Sequence, residues 1–182
     1  MTPNFDPTQV ATAAQALVLQ MMAERGRGVV LVGAARLDLA LERLLQSVMA
    51  PLGDEEDVLF TPDRSLGSFA AKITLAARLG LLDPTVEKAL HGIRAVRNDF
   101  AHSASDTNLS EARHQKRLAK SYQAARRNPL WLPLEQVFDE HNVAIGTSDR
   151  EFILLVTILA AFIDACTSLQ TPFRPRATVR FH

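Results

Sequence analysis

The sequence predicts an all-α fold, a single-domain bundle of several helices, and three observations carry that prediction. Apolar residues recur at helical spacing along separate stretches of the chain. Those stretches begin and end at helix start and stop residues, such as Asp83-Pro84 and Gly80. One stretch, Phe152 to about Leu169, is apolar around most of its circumference and reads as the central helix or as part of a dimer seam. At 182 residues, 47% hydrophobic, 22% charged and with a net charge of +0, the chain has the balance of an ordinary globular domain. The reading assigns residues 1–170 to one helical domain and 171–182, with Pro172 and Pro175, to an extended or mobile tail.

In chain order, Asp6-Pro7 opens a first amphipathic helix that runs to about Glu24, and Arg25-Gly26-Arg27-Gly28 breaks it. From Val29 to Met49, Val30, Ala34, Leu37, Leu41, Leu44, Leu45 and Val48 form one stripe, with Asp38 at its edge and Glu42 nearer solvent. Val32 and Leu39 lie outside that stripe and suggest a second contact surface. Pro51 ends the helix, and Gly53-Asp54-Glu55-Glu56-Asp57 reads as a solvated acidic loop because its spacing is not that of a calcium loop. Ser65 to Ser68 caps a short helix through Phe69 and Leu79, closed by Gly80. Asp83-Pro84 supplies the cap and first residue of the next helix. Ser110-Glu111 opens another, which Asn128-Pro129 ends. Trp131-Leu132-Pro133-Leu134 reads as an apolar connector, Glu135 to Glu140 is too short to assign, and Ser148-Asp149-Arg150-Glu151 reads as a capping box. About twelve apolar residues after that box are too few to span a bilayer.

Chemistry concentrates in Ile93 to His102. On a helical wheel, Leu90, Ile93, Val96 and Phe100 fall within about 80° of Val86, and Arg97 falls only about 20° from it. Arg97 is therefore expected to point inward, and a guanidinium in a core needs an acidic partner. Asp38 is the first choice; the alternative is that Asp38 and Glu42 only solvate a helix flank. His91, Arg94, Asn98 and His102 share a second, polar stripe. The alternative for His102 is a C-terminal cap, where an imidazolium suits the helix dipole.

Arg97-Asn98-Asp99-Phe100-Ala101-His102 resembles the Arg-Asn-x-Phe-Ala-His signature of the mannitol operon repressor family. Gly28 to Asp38 with Ala40-Leu41-Glu42, Leu66 to Ile73 and Arg150-Glu151-Phe152 fit the same family in the same order. That resemblance implies a helical transcriptional regulator, although no helix pair reads as a helix-turn-helix, so that a protein partner is expected to mediate it. Separately, Arg97-x4-His102 is similar to the motif of the HEPN superfamily, all-α dimers that include RNA-cleaving toxins. This implies Arg97, Asn98 and His102 as a catalytic set, with Asp38 in support.

Nucleic acid, if bound, needs a local site, because the chain has no overall basic excess. The helix after Glu111 offers one: Arg113, Lys116, Arg117, Lys120, Arg126 and Arg127, with His114 among them, could track a phosphate backbone. The alternative is a solvated helix facing the acidic loop. One cysteine, Cys166, excludes an internal disulfide framework and is expected to pack as a small apolar residue. No metal or cofactor motif is present: Gly-x-Ser-x-Gly, His-Glu-x-x-His and the dinucleotide fingerprint are all missing. A cytoplasmic homodimer without a membrane partner is the expectation, with regulation preferred over catalysis.

Overall fold

The computed structural model describes residues 7–52, 57–103, 107–141 and 144–174. These form α1 (Pro7–Met22), α2 (Arg27–Val48), α3 (Phe69–Arg78), α4 (Pro84–His102), α5 (Ala112–Arg126), α6 (Trp131–Glu140) and α7 (Thr147–Leu169), with a 3-10 turn at Val58–Phe60. No strand occurs among the described residues, and the helices pack around one core. The all-α single bundle is the observed fold.

α7 is its axis. Twelve of its residues are buried, from Phe152 to Ala165, because a helix apolar all round has no face to give to water. It packs on α2 and α1 and is flanked by α5 and α6. The helix has 23 residues, more than the apolar run suggested, and its length and composition would suit a bilayer; within the bundle 67% of its most apolar window is buried. The contact with α2 is close because Gly33 lies there: a Cβ at that position would come within 3.0 Å of Met21, 3.1 Å of Phe152 and 3.2 Å of Val156.

α4 rests on α2, α3 and α5. It starts as expected, with Asp83 Oδ1 accepting hydrogen bonds from Thr85 N (2.6 Å) and Val86 N (3.1 Å) ahead of Pro84 at the first turn. α3 is capped by Ser68, whose Oγ accepts from Ala71 N at 3.2 Å. It closes at Gly80, where φ is +73° and the Leu81 N–H reaches back to the Ala76 carbonyl at 3.0 Å.

Two expectations need correction. The stretch Trp131 to Leu134 is not a connector: it is the first turn of α6, where Pro133 costs nothing because first-turn N–H groups have no intrahelical acceptor. The capping box at Ser148 does not form. α7 begins two residues earlier, at Thr147 with Gly146 as its cap, so Ser148 lies inside the first turn and no side chain caps the end. Asp6, the acidic residues 54–56 and the tail from Pro175 lie outside the described residues. Residues 171–174 are non-helical, and the Phe173 N–H donates to the Val48 carbonyl at the end of α2 (2.8 Å).

Candidate functional site

The last turns of α4 differ from the wheel in one respect: Arg97 is exposed. The buried set on α4 is Ala89, Leu90, Ile93, Val96 and Phe100. Leu90 and Arg97 lie on nearly the same side, about 20° apart, so the cover on that side ends between them. A wheel has no axial coordinate. α3 has 10 residues against 19 in α4, too short to shield it along its whole length. Arg97 consequently reaches solvent and donates to Asn98 Oδ1 at 3.2 Å.

Arg97, Asn98 and His102 therefore share an open surface with His91, Arg94, Ala95 and Ala101, all exposed or half-buried. From His91 to His102 the only acid is Asp99, which turns away toward α5. At the helix end, Arg27 at the start of α2 donates to the carbonyl of Ser103, the residue after His102, at 2.8 Å. Arg94 Nε is buried without a partner among the described residues. The result is a patch rich in donors, with small alanines between them and no carboxylate.

Asp38 is not the partner of Arg97. Lys72 on α3, 3% exposed, occupies it: Lys72 Nζ lies 3.0 Å from Asp38 Oδ1 and 2.7 Å from Glu42 Oε2, with the Phe60 ring centroid 5.9 Å away. Burial alone would lower the Lys72 pKa, but the hydrogen bonds to Glu42 and Asp38 and their charges outweigh it and raise it. Asp38 and Glu42 thus do more than solvate a flank; they hold a buried ammonium. The residue type of Lys72 gave little warning, although it sits one residue before Ile73 in the apolar α3.

On α5, Arg113, Lys116, Arg117, Lys120, Arg126 and Arg127 are all exposed, as expected. Three of them have carboxylate partners: Arg113 with Glu111 at 2.9 Å, Arg117 with Asp99 at 2.6 Å, and Arg126 with Glu151. The acidic residues 54–56 that the sequence reading set opposite this helix lie outside the described residues. Lys116, Lys120 and Arg127 share a face about 60° wide on the helical wheel with Arg113. His114 departs from the basic set. It is fully buried, with Nδ1 2.8 Å from the Asn108 carbonyl, Nε2 3.4 Å from Asp99 Oδ2 and its ring 5.3 Å from that of Phe100. The signal was present in the spacing, since His114 precedes Leu118, Tyr122 and Ala125 on one stripe. Partial burial works to raise the Asp99 carboxyl, but Arg117, His114 and Arg113 together hold it below its ordinary value.

Comparison with protein-family models, with curated proteins and with solved structures yields no match. Among the described residues no three His, Cys, Asp or Glu side chains converge as a metal site would require. Cys166 is half-buried, and its sulfur accepts from Gln170 Nε2 at 3.2 Å. Among the described residues, the open face of α4 and the exposed cations of α5 are the candidate surfaces.

Proposed function

We propose that this protein is a metal-independent, HEPN-like ribonuclease that works as a homodimer through the α4 face. The observation that carries the reading is that Arg97 and His102 are exposed and Asn98 half-buried on the side of α4 away from Asp99, while Asp38 is engaged elsewhere. A buried Arg97 paired to Asp38 would have been a structural ion pair; an exposed one is available to a phosphate.

In this reading a neutral His102 takes the proton of a ribose 2′-hydroxyl. The 2′-oxygen bonds to phosphorus, the bond from phosphorus to the 5′-oxygen breaks, and the products are a 2′,3′-cyclic phosphate and a 5′-hydroxyl. The leaving oxygen takes its proton from the protonated His102 of the second copy. Arg97 balances the charge that builds on the phosphoryl oxygens, and Asn98 orients the guanidinium by accepting its hydrogen bond. Arg97 and His102 lie about 140° apart around one helix. Two α4 ends brought together, with Ala95 and Ala101 leaving room, would let a phosphate meet both groups.

The test is cleavage of a mixed-sequence RNA in chelator by the parent protein and by His102→Ala and Arg97→Ala, each verified as folded and dimeric. We expect cyclic-phosphate ends from the parent and a rate lower by ~10²–10⁴ in the His102 variant. No cleavage by the parent, or equal cleavage by His102→Ala, overturns the reading.

The second reading is a regulator of the type that the mannitol operon repressor family represents. It is favoured by Lys116, Lys120 and Arg127, exposed cations with no carboxylate partner among the described residues. An inactive parent that instead binds duplex DNA or a regulatory protein, with binding lost in Lys116→Glu/Lys120→Glu, would move the function there.

A further inference from the structure

α4 and α5 are joined along an outer seam. Asp99 on α4 pairs with Arg117 at 2.6 Å and lies 3.4 Å from His114 Nε2. Gly92 lets the helices close, since a Cβ there would come within 3.3 Å of Leu118. On both helices the core lies to one side of this seam and solvent to the other. Round from Arg117, His114 and Leu118 turn inward, while Arg113, Lys120, Arg127 and Lys116 turn outward by about 40°, 60°, 80° and 100°. Round from Asp99, Val96 and Phe100 turn inward, while Ala95 and Asn98 turn outward by about 40° and 100°. The open face of α4 thus continues onto the row of α5 cations. Phe100, near the end of α4, meets His114, near the start of α5, so the row runs away from the end of α4 that carries His102.

Lys116 and Lys120 stand about 6 Å apart along the helix axis, and Arg127 about 10 Å further on. None of the three has a carboxylate partner among the described residues. The acids of α4, α5 and its cap are Glu87, Asp99 and Glu111; Arg117 takes Asp99, Arg113 takes Glu111, and Glu87 lies in the first turn at the other end of α4. A polyanion is the partner that such a row of cations fits. One strand suits it better than a duplex. A helix seated in a major groove has a phosphate ridge on either flank, but the other flank of α5 is its core side, with Leu118, Tyr122 and Ala125 buried. Neither helix exposes a Phe, Tyr or Trp, because Phe100 and Tyr122 are buried. Bases therefore find no stacking platform, and contact falls on the sugar-phosphate backbone.

We propose that the joint outer face of α4 and α5 is a track for single-stranded RNA, on which Lys116, Lys120 and Arg127 hold backbone phosphates to one side of the phosphate that meets His102. The proposal rests on the ribonuclease reading for the identity of its polymer, but binding along the track does not require cleavage. The three cations are positioning residues; none touches the reacting atoms. Affinity is set by the number of phosphate contacts and not by base identity.

The test uses the full chain and a mixed-sequence 2′-O-methyl RNA oligomer, which lacks the attacking hydroxyl, with binding followed by fluorescence anisotropy over a range of salt. Each phosphate contact on a single strand contributes about 0.7 to the slope of log K against log salt. Lys116→Gln/Lys120→Gln should therefore flatten the slope by about 1.4 and weaken binding roughly 25-fold at about 0.1 M salt. Its melting temperature should stay that of the parent, because both side chains are exposed. Arg43→Gln, which removes an exposed cation on α2, should bind like the parent. On unmodified RNA the double variant should lose kcat/KM through KM rather than kcat. The track is overturned if the double variant keeps the parent slope, if Arg43→Gln loses as much, or if duplex DNA of the same length binds more tightly than the single strand, whatever the cleavage assay gives. Binding with the expected slopes but without cleavage of unmodified RNA supports the track and removes the ribonuclease reading alone.

Discussion

Lys72 illustrates how one side chain redistributes roles between elements. Its ammonium is 3% exposed, whereas the Asp38 and Glu42 side chains retain 33% and 26% of their exposure, so water tempers the loss when the cation is removed. Lys72→Met should cost about 1–3 kcal/mol in urea unfolding, less than the full penalty for breaking a buried pair. Asp38→Asn/Glu42→Gln added to it should recover part of that loss. Because the folded pKa of Lys72 is raised, its contribution is fully present below the ordinary value of 10.5 and lost only as pH rises through the folded value. The sequence made an inward Arg97 reasonable, since Val86 and Arg97 share a direction; it did not contain the axial limit of the neighbouring cover. The motif placed Arg97, Asn98 and His102 on one helix, while the company of Asp38 was not legible, because a lysine on an apolar helix reads as a surface residue until its two acids are seen.

At the scale of elements, local chemistry was the most readable part. Asp83-Pro84, Ser68 and Gly80 act where capping rules put them, because each satisfies backbone groups that the helix itself leaves open. α6 was hidden by Pro133, whose tolerance depends on a helix start that propensity alone does not mark. The α2–α7 contact was hidden too: nothing in the sequence says which helix passes over Gly33. Gly33→Ala gains helix propensity of roughly 1 kcal/mol, but the new methyl group meets three side chains at 3.0–3.2 Å. Overpacking should prevail by about 1–2 kcal/mol net, with a matching loss in chemical denaturation. A stability unchanged or raised would mean that α2 and α7 shift apart freely.

Over the whole molecule, ion pairs link α2 to α3, α2 to α7, α4 to α5 and α5 to α7, while α1, α2 and α7 supply most of the apolar centre. The Asp99 carboxyl is held low by the Arg117, His114 and Arg113 charges against its own partial burial. The Glu111 carboxyl is held low by the Asn108 N–H, which it binds at 2.8 Å, and by Arg113 and His114. Carboxyls with depressed pKa values stabilise the fold above their unfolded values and lose that contribution as pH falls through the folded ones. Acid below about pH 4 should therefore loosen the α4–α5 seam before the α1–α2–α7 centre. Amide exchange rising first in residues 107–118 would bear this out; uniform loss of protection across the bundle would refute it.

The pairing of α7 with α1 and α2 also has a consequence for the order in which the chain is made. α1 and α2 emerge first, yet their main apolar partner ends at Leu169, roughly 120 residues later, or ~6–24 s at ribosomal speeds of about 5–20 residues per second. During that interval Val30, Leu37, Leu41 and Leu44 have no α7 to meet. The nascent hairpin is thus a client for whatever shields apolar helices at the exit tunnel.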